Sequence, residues 1–314
     1  MKNTLTDNYG RVIRSLRISI TKKCNLNCIF CHQEGENKAQ SYEMSPETIA
    51  KIVTAATEFG VNKVKFSGGE PLMRDDFEDI IAGMPVLKNI SATTNGILLS
   101  RRASSLAESG LDRVNVSLPS INSEHYGAIT GFPNWLPEVI DGIGSAIDAG
   151  LTPVKLNMVL LKGINHNEID DAIKFTAKYD GNVILQLIEL MNFKDIRRFM
   201  VDIDGVEKML ESRASHVNER EMHRRKKYFI DGVEVELVRP IDNSRFCANC
   251  NRLRITSNGK LKPCLMRNDN LVDIRDGAAP EEIKNSLLEA VRQREPYYKE
   301  RNQLLLINKT DDPF

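Results

Sequence analysis

The chain lacks a net charge, and this limits the partners that it can take. Its 314 residues include 43 Lys and Arg and 43 Asp and Glu, so the formal net charge is zero. A broad nucleic-acid footprint needs a basic face. The only dense basic run, Arg224-Arg225-Lys226-Lys227, is expected to be a solvated loop or strand edge. We therefore expect no nucleic-acid partner.

Long apolar stretches are also missing. No run approaches the roughly 20 apolar residues that a membrane-spanning helix needs. The first ten residues, Met-Lys-Asn-Thr-Leu-Thr-Asp-Asn-Tyr-Gly, lack the apolar core of a signal peptide. These features predict a soluble, cytoplasmic protein without a membrane partner. Thiols stay reduced in the cytoplasm, so grouped cysteines are expected to be metal ligands rather than disulfides.

Cysteine is scarce, with six residues in all, but it is grouped into two trios. Cys24, Cys28 and Cys31 have the spacing Cys-x3-Cys-x2-Cys, which offers three thiolates on one short loop. A 4Fe–4S cluster usually takes four cysteines, so three would leave one iron open to another ligand. The alternative is a zinc knuckle or unrelated buried cysteines. A closed zinc site needs four ligands, and His32 is too close to Cys31 for the usual spacing.

The second trio, Cys247, Cys250 and Cys264, is also one ligand short. The economical interpretation is a second cluster with an open iron. A structural zinc completed by a distant histidine remains the alternative. Arg252 and Arg254 alternate along a predicted strand and would share one face. Paired guanidiniums suit a phosphate chain, although two solvated charges on an exposed strand are the alternative.

Alternating strand and helix patterns dominate residues 14–190 and predict an α/β fold. Ser45 and Pro46 mark the clearest helix start, as N-cap and first helical residue. Six units are too few for a closed eight-fold barrel, so we expect a partial (β/α)6 barrel over residues 11–191. A smaller α+β region carrying the second trio is expected over residues 192–314. The predicted barrel strands are Leu16–Ile20, Lys63–Ser67, Ile90–Thr93, Arg113–Leu118, Val154–Leu160 and Val183–Leu190.

Several motifs together resemble one family, the GTP 3′,8-cyclases of the radical S-adenosylmethionine (SAM) superfamily. The resemblance runs from about Arg11 to about Asp276. It includes the first trio, Ser-Gly-Gly-Glu-Pro-Leu at 67–72, Thr-Thr-Asn-Gly at 93–96 and Cys-x-x-Cys-Asn-Arg-Leu-Arg at 247–254. The last block, with its paired arginines, is much more specific than the first trio.

The resemblance implies a lyase-class enzyme of molybdenum cofactor biosynthesis with two 4Fe–4S clusters and SAM. A 5′-deoxyadenosyl radical would abstract the ribose 3′ hydrogen of GTP, and the ribose radical would attack guanine carbon 8. The product would be 3′,8-cyclo-7,8-dihydro-GTP. The resemblance also implies an electron donor and a downstream cyclic pyranopterin monophosphate synthase as partners, and it allows a homodimer.

Binding residues are carried over from the family motifs position by position. The positions that match SAM contacts are Phe30, Gly69, Ser117 and Met191. Those that match GTP contacts are Arg17, Lys65, Thr93, Lys155, Arg252 and Arg254. A lysine in an apolar strand needs a partner, and a phosphate would serve for Lys155. Family members often have arginine where this chain has Lys65 and Gln186.

Two other functions stay open at this point. One is a radical SAM enzyme that modifies peptides and carries an auxiliary cluster. The other is a zinc-dependent binding module that uses the second trio. Metal analysis separates them, since roughly eight irons per chain indicate two clusters.

Overall fold

The computed structural model describes residues 4–36, 42–192, 196–275 and 277–298. The strands of these residues form one twelve-stranded sheet in the order β12-β11-β10-β1-β2-β3-β4-β5-β6-β9-β8-β7. Their bounds are β1 Ser15–Ser19, β2 Lys63–Ser67, β3 Asn89–Thr94, β4 Arg113–Ser117, β5 Val154–Val159, β6 Val183–Ile188, β7 His216–Glu219, β8 Lys226–Ile230, β9 Val233–Val238, β10 Arg252–Ile255, β11 Lys260–Lys262 and β12 Val272–Asp273.

Helices separate the parallel strands and pack on one another in series. Helix α9 contacts α1, α1 contacts α2, α2 contacts α3, and α3 contacts α5. The bounds are α1 Pro46–Glu58, α2 Phe77–Ala82, α3 Leu99–Glu108, α4 Ser123–Thr130, α5 Leu136–Asp148, α6 Ile169–Ala177, α7 Ile203–Arg213, α8 Ser244–Ala248 and α9 Pro280–Arg292. Within the described ranges, no helix combines the length and apolar character needed to cross a bilayer.

The six barrel strands lie where the sequence predicts them, with ends that differ by up to two residues. Their neighbours pair in parallel register from β1 through β6. Helix α1 starts as its cap predicts, because Ser45 Oγ accepts a hydrogen bond from the Thr48 amide at 3.2 Å. The α/β prediction is therefore confirmed.

The segment after residue 192 continues the barrel sheet instead of forming a sheet of its own. Strand β9 pairs in parallel with β6, and β10 pairs in parallel with β1. The parallel run therefore counts eight strands, where the sequence predicted six. Strands β7, β8, β11 and β12 extend it by antiparallel pairing. Both ends of the predicted barrel are thus covered by the later segment.

Candidate active site

A cavity of about 1020 Å³ runs along one face of the parallel strands. Alternate residues of the strands contribute most of its wall, as a period of two requires. On β2, Lys63, Lys65 and Ser67 line the cavity, together with Val64. The interior of a closed eight-stranded barrel is ordinarily filled by bulky apolar side chains. Here the same face is largely polar and leaves space for ligands.

The cavity wall contains every residue that the sequence singled out as a ligand or contact. All sixteen lie on it: Cys24, Cys28, Cys31, Cys247, Cys250, Cys264, Phe30, Gly69, Ser117, Met191, Arg17, Lys65, Thr93, Lys155, Arg252 and Arg254. The two cysteine trios, far apart in sequence, therefore open into one space.

The loop of the first trio follows β1 and is tied to helix α4. The amides of Asn27 and Ile29 donate to the carbonyls of Thr130 and Ile129, at 3.2 and 3.0 Å. The Cys31 amide donates to the Cys28 carbonyl at 3.1 Å. Main-chain amides also approach two of the sulfurs, with Leu26 N 3.5 Å from Cys24 Sγ and Gln33 N 3.4 Å from Cys31 Sγ. Main-chain hydrogen bonds thus hold this loop without the help of a ligand.

Gly68 and Gly69 let the loop after β2 lie directly against the backbone that leads into Cys24. A Cβ on Gly69 would lie 2.1 Å from the Lys23 carbonyl oxygen, and one on Gly68 would lie 2.3 Å from that of Thr21. The Gly69 amide donates to Thr21 O at 2.7 Å. Glycine is needed here because the two backbones touch. The sequence left open whether a ligand or a backbone makes this approach, and the backbone accounts for it.

The second trio starts in the short helix α8, where the buried ion cluster of Asp7, Arg11 and Arg294 holds its backbone. Arg11 Nη1 donates to the carbonyl of Cys247 at 3.0 Å, and Arg294 Nη2 donates to that of Cys250 at 2.9 Å. Asp7 accepts from both arginines at 2.7 Å. Residues from both ends of the described chain therefore hold the two cysteines at the cavity.

The donor sets fit clusters better than single ions. Each trio supplies three free thiols to one wall, which is the donor chemistry of an iron–sulfur cluster. Within the described ranges, no group of three or more His, Cys, Asp or Glu is gathered closely enough to hold one metal ion. Three cysteines without a fourth protein ligand among the described residues therefore suit an iron–sulfur cluster with one open iron.

The wall is strongly positive although the chain as a whole is neutral. Thirteen Lys and Arg line the cavity, against six Glu. A cleft lined by one sign of charge concentrates ligands of the opposite sign. Burial and the charges of Arg254 and Arg17 lower the pKa of Arg252, as expected where cations outnumber anions. The cavity is therefore built for an anion.

Glu34 is one of the few anions among these cations. It lies on a short 3₁₀ turn after the first trio, and its carboxylate pairs with Arg17 Nη2 at 2.6 Å and Arg254 Nη1 at 2.7 Å. Burial alone would raise the pKa of Glu34, but Arg17 and Arg254 outweigh burial and lower it to about 2. Two of the proposed GTP contacts thus share one protein carboxylate.

The charge of Lys155 also has a protein partner. Lys155 Nζ lies 2.6 Å from Glu236 Oε1, and Glu236 is fully buried. Burial lowers the pKa of Lys155 to about 8 despite this carboxylate. Lys155 therefore has a counterion within the protein, and its burial alone does not call for a phosphate. Lys65, the other proposed lysine, donates from Nζ to Asn115 Oδ1 at 2.8 Å.

The four proposed SAM contacts all lie in the cavity wall. Phe30 packs against the small apolar cluster of Ile129, Leu161 and Leu190. Ser117 is the last residue of β4, and Met191 lies three residues beyond β6. Loops at the carboxyl ends of parallel strands are the usual place for functional groups.

Sequence reasoning missed three charged residues of this site. Glu34 carried no motif, and Glu236 resembled an outward-facing residue of an alternating strand. Arg225 belongs to the basic run that was expected to be solvated, and for this residue the expectation is wrong. Its side chain is 12% exposed and pairs with Glu236 at 3.4 Å. The one available signal for Glu236 was the buried Lys155, which needed a counterion.

Two family models match the chain. The radical SAM superfamily model matches residues 18–176, and the molybdenum cofactor synthesis C model matches residues 183–300. A protein of Methanosarcina acetivorans named as a probable GTP 3′,8-cyclase is 60% identical over 300 residues, which cover 94% of this chain and 90% of that protein. A protein of Archaeoglobus fulgidus with the same name is 48% identical over 298 residues, covering 94% and 99%.

Solved structures share the fold at low sequence identity. SuiB of Streptococcus suis has a TM-score of 0.63 at 16% identity, covering 92% of this chain and 68% of its own. A histidine-tagged anSMEcpe with bound AdoMet has a TM-score of 0.59 at 16% identity, covering 88% and 76%. At this identity the likeness establishes the fold alone.

Proposed function

The chain belongs to the GTP 3′,8-cyclase family of the radical SAM superfamily, and from this membership we propose that it converts GTP into 3′,8-cyclo-7,8-dihydro-GTP. The observation that carries the proposal is the shared cavity. It joins two cysteine trios to thirteen cationic side chains in a chain without net charge. A radical centre and a polyanion site in one space are what this reaction requires.

Enzymes of this family use 4Fe–4S clusters and SAM. When bound, these groups would supply the 5′-deoxyadenosyl radical that takes the ribose 3′ hydrogen. The ribose radical would then bond to guanine carbon 8, and one electron from the donor, together with one proton, would complete the 7,8-dihydro product. Cys24, Cys28 and Cys31 would hold the first cluster, and Cys247, Cys250 and Cys264 the second. Each trio leaves one coordination position for a ligand.

The protein's own side chains would bind and orient the two small molecules. We propose that Phe30, Gly69, Ser117 and Met191 contact SAM. We propose that Arg17, Lys65, Thr93, Lys155, Arg252 and Arg254 contact GTP. The partly buried guanidiniums of Arg252 and Arg254 supply directed donors for phosphate oxygens. Their low exposure excludes water and strengthens each contact.

The remaining partners and the division of the chain are also proposals. We infer an electron donor, because reductive chemistry needs a source of electrons, and a cyclic pyranopterin monophosphate synthase that consumes the product. A homodimer and a cytoplasmic location complete the proposal, the latter because thiolate ligands persist in a reducing compartment. We also propose that residues 11–191 form the barrel and that residues 192–314 form the auxiliary-cluster and substrate-binding region, although strands of both regions belong to one sheet.

Anaerobic reconstitution tests the function directly. The reconstituted protein is incubated with SAM, dithionite and GTP, and the product mass is measured. The expected product has the mass of GTP, because cyclisation rearranges the nucleotide, and it separates from GTP on chromatography. Iron content of roughly eight per chain is expected alongside. Turnover of SAM with unchanged GTP would contradict the cyclase, and stoichiometric zinc without iron would contradict the radical chemistry.

A further inference from the structure

A buried ion cluster between β6 and β9 is not explained by the contacts proposed so far. Its centre is Glu236, which is fully buried and lies opposite Gln186 in the strand register. Its carboxylate binds Lys155 Nζ at 2.6 Å, Arg220 Nη1 at 2.9 Å and Arg225 Nη1 at 3.4 Å. Gln186 Nε2 also donates to it at 2.5 Å.

The cluster has more positive charge than its centre can balance. Three cations meet one carboxylate, so two positive charges are left over. Arg225 is the more enclosed of the two arginines, with a side chain 12% exposed against 27% for Arg220. Its Nε is buried and has no hydrogen-bond partner among the described residues. A buried donor of this kind calls for an acceptor that the described protein does not provide.

The unbalanced charges face the cavity. Lys155, Arg220 and Arg225 all line its wall. The charge of Arg225 helps to lower the pKa of Arg252, and the charge of Lys155 helps to lower the pKa of Lys65. The cluster on β9 and the arginines on β10 therefore approach one space from the two edges of the parallel run. An anion bound between them would meet both.

We propose that Arg220 and Arg225 bind the phosphates of GTP beyond the first, and that Glu236 is the residue that positions them. This inference rests on the proposed function and adds a specificity: the cavity distinguishes a nucleoside triphosphate from a monophosphate. Glu236 does not touch the ligand. Its buried carboxylate holds Lys155 and both guanidiniums in one arrangement, so that little side-chain freedom is lost when the polyphosphate binds.

Binding measurements on anaerobically reconstituted protein test the proposal without relying on turnover. GTP, GDP and GMP are titrated against the wild type and against Arg225→Ala, Arg225→Lys and Arg220→Ala. The matched control is Arg224→Ala, which changes the neighbouring arginine, whose side chain is 46% exposed and lies outside the cavity wall. Iron content and thermal unfolding are recorded for each variant.

Arg225→Ala should weaken GTP binding by about ten- to hundredfold, the usual effect of losing a charge-assisted contact, and should change GMP binding by less than about threefold. Arg225→Lys should recover part of the loss, because a point charge replaces a bidentate donor. Arg224→Ala should bind all three nucleotides as the wild type does. The ratio of GTP to GMP affinity is thus the decisive quantity.

Each other outcome has a defined meaning. If Arg225→Ala weakens GTP and GMP equally, or leaves their ratio unchanged, the arginines only maintain the fold and the proposal fails. If Arg225→Ala does not fold, Arg220→Ala answers the same question from a more exposed position. If the wild type itself does not bind GTP, the proposed function fails first, and the two failures are therefore distinguishable.

Discussion

The two cysteine trios line one cavity but differ in the charged side chains around them. The first trio lies on a loop held by main-chain hydrogen bonds to α4, and burial raises the pKa of Cys24. The second trio lies among guanidiniums. Burial alone would raise the pKa of Cys250, but Arg294 and Arg252 outweigh burial and lower it. Burial raises the pKa of Cys247 and Cys264 as it raises that of Cys24. At Cys250, by contrast, the guanidiniums outweigh burial, so charge distinguishes this one cysteine of the second trio.

This difference indicates how one cavity can keep two ligands apart. Glu70 is the carboxylate whose charge acts on Cys24, so an anionic nucleotide would gain less beside the first trio than beside the second. The second site has an excess of positive charge that a polyphosphate relieves and that a cationic sulfonium does not. Specificity is a difference between affinities, and here the difference follows from where the arginines lie.

The largest effect is expected from cysteine changes in the two trios. Cys28→Ser should reduce reductive SAM cleavage to background, because two thiolates cannot hold the first cluster in its reactive form. Cys250→Ser should abolish GTP cyclisation but leave SAM cleavage measurable. Anaerobic assays of 5′-deoxyadenosine and of the cyclised nucleotide distinguish the two variants. Equal loss of both reactions in Cys250→Ser would show that the sites are not separable.

The paired arginines should matter for only one of the two ligands. Arg252→Ala and Arg254→Ala should each weaken GTP binding, since a lost charge-assisted contact costs about 1.5–3 kcal/mol. SAM binding should stay within about twofold, an effect smaller than one ordinary hydrogen bond. Equilibrium titration with both ligands, with iron content checked, measures this. If a double variant keeps both clusters and binds GTP as the wild type does, these two arginines do not form the anion site.

A substitution at Glu34 should increase the affinity for GTP rather than reduce it. Glu34→Gln frees Arg17 and Arg254 from their shared carboxylate, so GTP affinity should rise by about tenfold, the equivalent of about 1.4 kcal/mol. The ligand-free protein should lose about 1.5–3 kcal/mol of unfolding free energy, because two partly buried cations lose their shared charged partner. Thermal unfolding with and without GTP records both effects. Weaker GTP binding would instead mean that Glu34 positions the arginines.

The pH dependence of binding should also differ between the sites. The pKa of Lys155 is about 8, below the usual value for lysine, because of burial. Lys155 is therefore cationic at pH 7 and loses its proton as the pH rises through 8. GTP affinity should fall over that range, by about tenfold at most, while SAM affinity stays level. Lys155→Arg should remove the decline, since a guanidinium keeps its proton.

The smallest effect is expected far from both sites. Ser45→Ala removes the cap of α1 and should lower the unfolding free energy by about 1 kcal/mol. GTP and SAM affinities should be unchanged, so this variant serves as the baseline for stability loss alone. Denaturant unfolding and the same titrations measure it. A selective loss of one ligand would mean that global stability, and not local charge, separates the sites.

The barrel strands could be predicted because apolar residues recur at alternate positions in each, as Leu16 and Ile18 do in β1. Strand β7 could not, since all four of its residues are exposed and carry no apolar alternation. Helices α4 and α5 were not identified individually. Their segment contains Gly127, Gly142 and Gly144 and two prolines, which weaken a helical pattern.

The charged part of the site was only half predictable. Arg252 and Arg254 could be assigned to one face because residues two apart in a strand share a face, and both line the cavity. Glu236 follows the same alternation, yet its side chain is buried, because the pairing of β9 with β6 places it beside Gln186 and within reach of Lys155. That pairing joins residues that are distant in sequence. No local pattern distinguishes such a face from a solvated one.

The pairing of β1 with β10 places Arg17 opposite Arg254, which has a consequence for how the enzyme is made. Contacts between residues so distant in sequence form slowly, and the ribosome delivers β1 long before β10. Until residues 252–255 emerge, the outer edge of β1 has no strand to pair with and is open to the wrong neighbours. The newly made chain therefore passes through a period in which its first cysteine loop is complete while the wall beside it is missing. The exposure of the β1 edge ends when residues 252–255, at the start of the last fifth of the chain, pair with it.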